Sequence, residues 1–299
     1  MNIKEASVKW KIPERTIRNY CVQGSIEGAF KCAKSWHIPN DANKPTKKTK
    51  TSGMPTLLQA LKREKDYKLK GGIFHKLQVE MTYNSNHIEG SKLSKDETDL
   101  IFETNTIGHT KTNLDIDDII ETSNHFKCIN YVIGSCKKKL TERYIKELHN
   151  LLKRSTSDKE VSWFNVGEYK KLPNEVGGRD TTNLENVHVE IEKLLVDYNS
   201  KETIDVEDII EFHVKFERIH PFGDGNGQVG RIIMNYQLQR AGYPFICIHS
   251  SKKKEYIKAF EHYYESGKTD SSEMQKIISD ALFDELNARI EILSKETEK

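Results

Sequence analysis

The stretch His220-Pro-Phe-Gly-Asp224-Gly-Asn226-Gly-Gln-Val-Gly-Arg231 decides how this chain is read. It sets a histidine, a carboxylate, a glycine-rich turn and an arginine within twelve positions, between two helical patterns. Upstream, Ile209, Ile210, Phe212, Val214, Phe216 and Ile219 form an apolar, helix-compatible run. Downstream, Val229, Ile232, Ile233 and Tyr236 recur at helical spacing until Gly242. The pattern predicts helices over 205–219 and 228–241, with the turn delivering the chain to a helix N-terminus. Unpaired backbone N–H groups and the helix dipole attract an anion there, most naturally a phosphate.

The residue types suit phosphate chemistry. A histidine at the mouth of such a nest can accept the proton of an attacking hydroxyl. Asp224 is a hard oxygen ligand suited to Mg²⁺ on phosphates. Asn226 can donate to a phosphoryl oxygen, and Arg231, about one turn into the helix, can clamp another. The plain alternative is a helix-capping turn with a buried histidine.

A hydrophobic content of 36% with 31% charged residues describes a water-soluble globular chain with no apolar run long enough to span a bilayer. No signal-peptide core opens it. Five scattered cysteines without a Cys-x-x-Cys pair argue against structural zinc and fit a reducing cytoplasm. The formal net charge of +2 hides an asymmetry: residues 1–50 hold eleven Lys and Arg against four Asp and Glu, while the remainder is mildly acidic. A basic head on an acidic body points to the head as the part that meets a polyanion.

Three parts follow: a head over 1–40, a polar linker over 41–56, and a helical body over 57–299. Helices are expected over 3–10 and 14–22, then a hairpin over 25–39. In the body, helices are expected over 73–86, 92–104, 115–134, 141–154, 187–198, 252–264 and 271–294. The little strand signal of the body lies between Gly167-Glu-Tyr-Lys170 and Val176-Gly177-Gly178-Arg179.

The twelve-residue stretch resembles the signature of Fic-domain proteins, His-Pro-Phe-x-Asp/Glu-Gly-Asn-Gly-Arg-x-x-Arg. The resemblance implies a mainly α fold with a β-hairpin flap, and transfer of AMP from ATP to a Ser, Thr or Tyr hydroxyl of a target protein. It implies His220 as general base, Asp224 as Mg²⁺ ligand, Gly225, Asn226 and Gly227 as the anion hole, and Arg231 on the terminal phosphate. Gln228 stands where the family has its first arginine, which keeps hydrogen bonding and loses the charge. Gly227 takes the place of a lysine found in phosphorylating relatives. Tyr256 resembles the family's aromatic near the nucleotide base, and Val176, Gly177, Gly178 and Arg179 resemble the flap that pairs with a target's main chain. His125 and His149 read as structural.

Ser85-Asn-His-Ile-Glu89-Gly90 is the second sharp feature. Ser85 and Glu89 share a helix face, and Gly90 stops the helix. The segment resembles the Ser/Thr-x-x-x-Glu-Gly/Asn inhibitory motif of Fic proteins, which implies an inhibitory helix near 74–90 whose Glu89 forms a bidentate pair with Arg231. The same residues fit removal of AMP from a target, with Glu89 orienting water. The head resembles the winged helix-turn-helix units of excisionase-like and MerR-like proteins, which implies DNA contacts by Arg15, Arg18, Lys31 and Lys34. On that view a DNA-binding regulator with a weakened catalytic body is a further alternative. A homo-oligomer stays open.

Overall fold

A computed structural model describes residues 1–22, 26, 29–32, 35–40, 42–44, 57–108 and 113–297. The chain divides into two compact units, Met1–Thr56 and Leu57–Lys299. In the first, α1 (Ile3–Trp10) starts at an Asn2–Glu5 capping box and α2 (Glu14–Val22) follows Pro13. Strands β1 (Phe30–Cys32) and β2 (Ser35–His37) pair antiparallel. Ala6, Trp10, Ile17, Cys21, Ile26 and Ile38 form the unit's own core. Arg15, Arg18 and Asn19 stand exposed on α2. The side chain of Lys31 and the whole of Lys34 lie outside the described residues.

The second unit is helical. It runs through α3 (Leu57–Tyr67), α4 (Ile73–Glu89), α5 (Lys95–Thr104), α6 (Ile116–Ser135), α7 (Glu142–Lys153), α8 (Val187–Ser200), α9 (Val206–Ile219), α10 (Asn226–Ala241), α11 (Lys253–Glu265) and α12 (Ser272–Thr297). Helix α10 is the axis of the packing, touching α4, α6, α7 and α9. From Val229 to Leu238 its side chains are buried all round, which explains why its apolar stripe is less one-sided in sequence than that of α7. α5 begins at Lys95, later than expected, because Ser94 and Glu97 close a capping box there.

The hairpin is shorter than its sequence signal. Strands β3 (Glu175–Val176) and β4 (Arg179–Asp180) pair antiparallel through Gly177 and Gly178, both with positive φ, as a two-residue turn of this hand requires. The 167–170 segment is not part of it: Gly167 turns the chain at φ +83, and Lys170 N–H instead donates to Pro221 O at 2.8 Å. No helix is long and apolar enough to cross a membrane among the described residues.

Three histidines are sealed in this unit. Burial pushes His125, His149 and His213 each down to about 3, helped by the Arg231 charge at His125 and His213 and by Lys153 at His149. Unfolded, each takes up a proton near 6.5; folded, only near 3. Their contribution is therefore complete above pH 6.5 and lost as pH falls towards 3. Buried Glu217, pushed up to about 8, has the opposite slope and offsets one of them. Each histidine not offset costs about 2 kcal/mol between pH 6.5 and 5. Urea unfolding at pH 7 and pH 5 should show a marked loss of stability at pH 5. His125→Asn should reduce the slope by about one proton. Equal stability at both pH values would contradict this account.

Candidate functional site

Helix α9 delivers His220 in an unusual conformation. His220 caps the helix with φ 49 and ψ 62, a left-handed geometry that side chains other than glycine seldom adopt. Its Nδ1 faces Glu217 O at 3.3 Å. A carbonyl only accepts, so Nδ1 carries the proton and Nε2 is left with the lone pair. Burial pushes the imidazole down to about 4, so near neutral pH it is an uncharged proton acceptor. The Glu217 carboxyl lies 3.9 Å from Nδ1 and is held largely protonated by burial.

The loop after His220 is fixed from three sides. Phe222 is fully buried and stacks on His149 with ring centres 3.9 Å apart. His149 Nδ1 accepts from Gly167 N–H at 2.9 Å, so its Nε2–H donates to Asp224 O at 3.2 Å. Asn226 closes the turn on itself: its Oδ1 accepts from Phe222 N–H and its amide donates to Phe222 O, both at 2.8 Å. This corrects the expected task of Asn226, whose side chain is buried and fastens the loop instead of standing free for a phosphate. Asn174 donates to Phe222 O at 2.8 Å, which ties the base of the hairpin to the same loop. At the far side of the hairpin Arg179 pairs with Glu265 at 3.0 Å.

Asp224 stands at the mouth of α10 with its side chain 63% exposed and is ion-paired to Lys153. Partial desolvation by the surrounding chain works against its charge, but Lys153 outweighs it and holds the group below the usual carboxylate range. Glu121 and Asp158 each bring an oxygen close to it, all within 4.8 Å of one another. Lys153 pairs with all three carboxylates, so the exposed side of Asp224 is the part left as a hard oxygen ligand for a cation such as Mg²⁺.

Arg231 is buried one turn behind the start of α10. Its Nε donates to Ser85 Oγ at 3.1 Å, and its Nη2 donates to Ser85 O at 2.9 Å and to Glu89 Oε1 at 2.6 Å. The expected bidentate pair with Glu89 is thus a fork shared between Ser85 and Glu89, because Ser85, one turn earlier on α4, lies nearer the guanidinium edge. The Glu89 carboxylate reaches over the first turn of α10. A Cβ built on Gly227 would lie 2.2 Å from Glu89 Oε1, so glycine at 227 is what lets the carboxylate in. An anion supplied by the chain itself therefore lies beside the N-terminal turn of the helix.

Two further positions differ from expectation. Gln228 is buried and its amide donates to Asn86 Oδ1 at 3.1 Å and Glu121 Oε2 at 3.0 Å. Tyr256 is 3% exposed, bonds His213 Nε2 through its hydroxyl at 2.6 Å, and lies alongside Arg231 with the guanidinium 5.9 Å from its ring centre. Neither faces open space. Sequence reasoning missed Glu217, Lys153, Glu121 and Asn86. A signal existed for Lys153: it continues the buried stripe of Tyr144, Ile145, Leu148, His149 and Leu152 on α7, where an unpartnered charge has no place. No local pattern marks Asn86 or Glu121.

Nitrogen-detected NMR of the full chain at pH 7 should show His220 neutral, with Nδ1 protonated and Nε2 not. An imidazolium at pH 6.5, or a proton on Nε2, would contradict the assigned hydrogen bond.

Residues 139–238 match the model of the Fic/DOC family. The chain is 28% identical over 181 residues to a protein adenylyltransferase Fic of Aedes aegypti, which covers 60% of this chain and 35% of that protein. It is 30% identical over 177 residues to its Drosophila persimilis counterpart, covering 58% and 34%. The chain thus spans about a third of the length of these curated relatives. A Fic-domain-containing signalling protein from Bacteroides thetaiotaomicron superposes with a TM-score of 0.63 at 25% identity, over 77% of this chain and 94% of that one. Fic-1 from C. elegans shares the fold at 18% identity and TM-score 0.63, over 80% and 72%. The helical unit, with its signature loop entering α10, is thus similar to a Fic domain: residues 139–238 match the Fic/DOC family model, and the fold is shared with a solved Fic-domain protein.

Proposed function

We propose that the chain transfers AMP from ATP to a hydroxyl of a target protein, and that Glu89 holds this activity back. The observation that carries the reading is the convergence of a neutral, proton-accepting His220, an exposed Asp224 and the buried Arg231 around the first turn of α10, with Glu89 lying over it. The names of the curated relatives support AMP transfer as the reaction class.

In this reading the target hydroxyl oxygen attacks the α-phosphorus of ATP. The new O–P bond forms as the bond to the pyrophosphate oxygen breaks, and pyrophosphate leaves. His220 Nε2 takes the hydroxyl proton, and the Glu217 carbonyl holds the resulting imidazolium through Nδ1–H. The backbone N–H groups that open α10 from Gly225 to Gly227 receive phosphate oxygens, and Arg231 is the cation for the terminal phosphate. Mg²⁺, when bound at Asp224, neutralises charge on the phosphates. The hairpin at 175–180 offers short edge strands to an extended target segment. Gln228 and Tyr256 serve from behind, one through Glu121 and the other against Arg231.

Glu89 opposes this arrangement twice, by occupying an N–H of Arg231 and by placing a negative charge where the triphosphate belongs. Losing a charge-assisted hydrogen bond and a like charge is worth about one to three orders of magnitude in productive binding. With ATP labelled at the α-phosphate and Mg²⁺ present, Glu89→Gly should label itself or a target far faster than the wild type. His220→Ala and Arg231→Ala in that background should be silent. Unchanged or lower labelling in Glu89→Gly would remove the inhibitory role, and label in His220→Ala would remove the general base.

For the head we propose DNA binding, supported by Arg15, Arg18 and Asn19 exposed together on α2 and by its basic balance. In the full chain, Arg15→Ala with Arg18→Ala should weaken duplex binding and lower its salt slope by about two. A wild-type chain with no salt-dependent binding to mixed-sequence duplexes would overturn it.

A further inference from the structure

Lys153 ends α7 with its side chain only 3% exposed. Its ammonium is ion-paired to Glu121 at 2.6 Å, to Asp158 at 3.1 Å and to Asp224. These carboxylates come from α6, from the short turn Ser157–Glu160 and from the signature loop. The stem of the lysine lies beneath Gly225, where an added Cβ would sit 3.1 Å from its Cε. The contacts continue beyond it: the second Glu121 oxygen accepts from Gln228, whose amide also reaches Asn86 on α4.

Three carboxylates offering oxygens within 4.8 Å of one another repel each other and attract a cation. In oxygen-only surroundings, a divalent ion is the usual solution. Here the ammonium occupies that place. Its charge is covalently attached, cannot leave, and is matched by carboxylates on three separate elements. Of the three, Asp224 is the most open, at 63% exposure against 16% for Glu121 and 27% for Asp158.

We propose that Lys153 is a positioning residue of the site. It replaces a resident divalent cation among Glu121, Asp158 and Asp224, and so holds Asp224 at the mouth of α10 with its open side free for a metal that arrives on nucleotide phosphates. The last clause rests on the reading of Asp224 given above; the replacement of a cation does not.

The test is Mn²⁺ binding to the full chain without nucleotide, followed by electron paramagnetic resonance of free Mn²⁺ and by calorimetry. Lys153→Met should bind one Mn²⁺ per chain at least about tenfold tighter than the wild type. That site should vanish when Asp158→Asn is added. Lys153→Arg, which keeps the charge, should behave as the wild type. Mn²⁺ should also restore the melting temperature that Lys153→Met loses. If Lys153→Met does not fold alone, it should fold when Mn²⁺ is supplied. Mn²⁺ binding no tighter than wild type, a site that survives Asp158→Asn, or a variant that stays unfolded in Mn²⁺ would each overturn the proposal. None of these readouts involves AMP transfer, so a chain that passes here and never labels a target contradicts the reaction alone.

Discussion

A guanidinium buried at the first turn of α10 is the constraint on which the site depends. Arg231 is 5% exposed, and a buried cation is tolerated only with partners in place. Those partners come from α4: the hydroxyl and carbonyl of Ser85 and the carboxylate of Glu89. They differ in kind. Ser85 is buried within α4 and gives a permanent anchor, whereas the Glu89 side chain is 42% exposed and sits at the helix end before Gly90. Losing Glu89 from the pair therefore leaves Arg231 partly satisfied, with the N–H that faced Glu89 open to another anion. The inhibition proposed for Glu89 requires that division between a fixed and a releasable partner.

The placement of α4 makes this contact dependable. Its buried face carries polar groups among the apolar ones: Gln78 reaches Asn130, Thr82 reaches His125, Asn86 reaches Thr122, and Asn84 receives Ser250 N–H. Hydrogen bonds of this kind fix rotation and register more tightly than apolar packing does, because each lost bond strands a buried polar group. Two lines run from α4 into the signature. The charged one passes through Ser85 and Glu89 to Arg231. The other starts with the neutral amides of Asn86 and Gln228 and passes through Glu121 to the ion pairs of Lys153 and Asp224. An arginine at 228 would bring a charge to Asn86 and Glu121; glutamine joins them with both amide hydrogens and leaves Glu121 to pair with Lys153.

Much of this was legible in the residues, and the remainder was not for definable reasons. Helices α6, α7 and α9 follow from apolar spacing and from their caps at Asp115, Thr141 and Asp205. The approach of Ser85 and Glu89 to Arg231 was readable because residue types and spacing carry it. The split of the fork was not, since it depends on distances between atoms 142 and 146 residues apart in sequence. Asn226 was misread because its phosphate-donor chemistry is equally suited to closing a turn, and only the position of Phe222 decides between them. The extended reading of 167–170 failed because a lysine in that segment anchors the loop instead: Lys170 donates to Asn174 at 2.7 Å and to Thr181, and its amide to Pro221.

The most direct test of the central claim is nucleotide discrimination in binding. If Glu89 occupies the Arg231 donor meant for a terminal phosphate, calorimetry should find that the wild type binds ATP and ADP with similar affinity. Glu89→Gly should favour ATP over ADP by about tenfold or more, a charge-assisted hydrogen bond being worth about 1.5–3 kcal/mol, and Arg231→Ala should erase that preference. An ATP preference already present in the wild type and unchanged by Glu89→Gly would contradict the account.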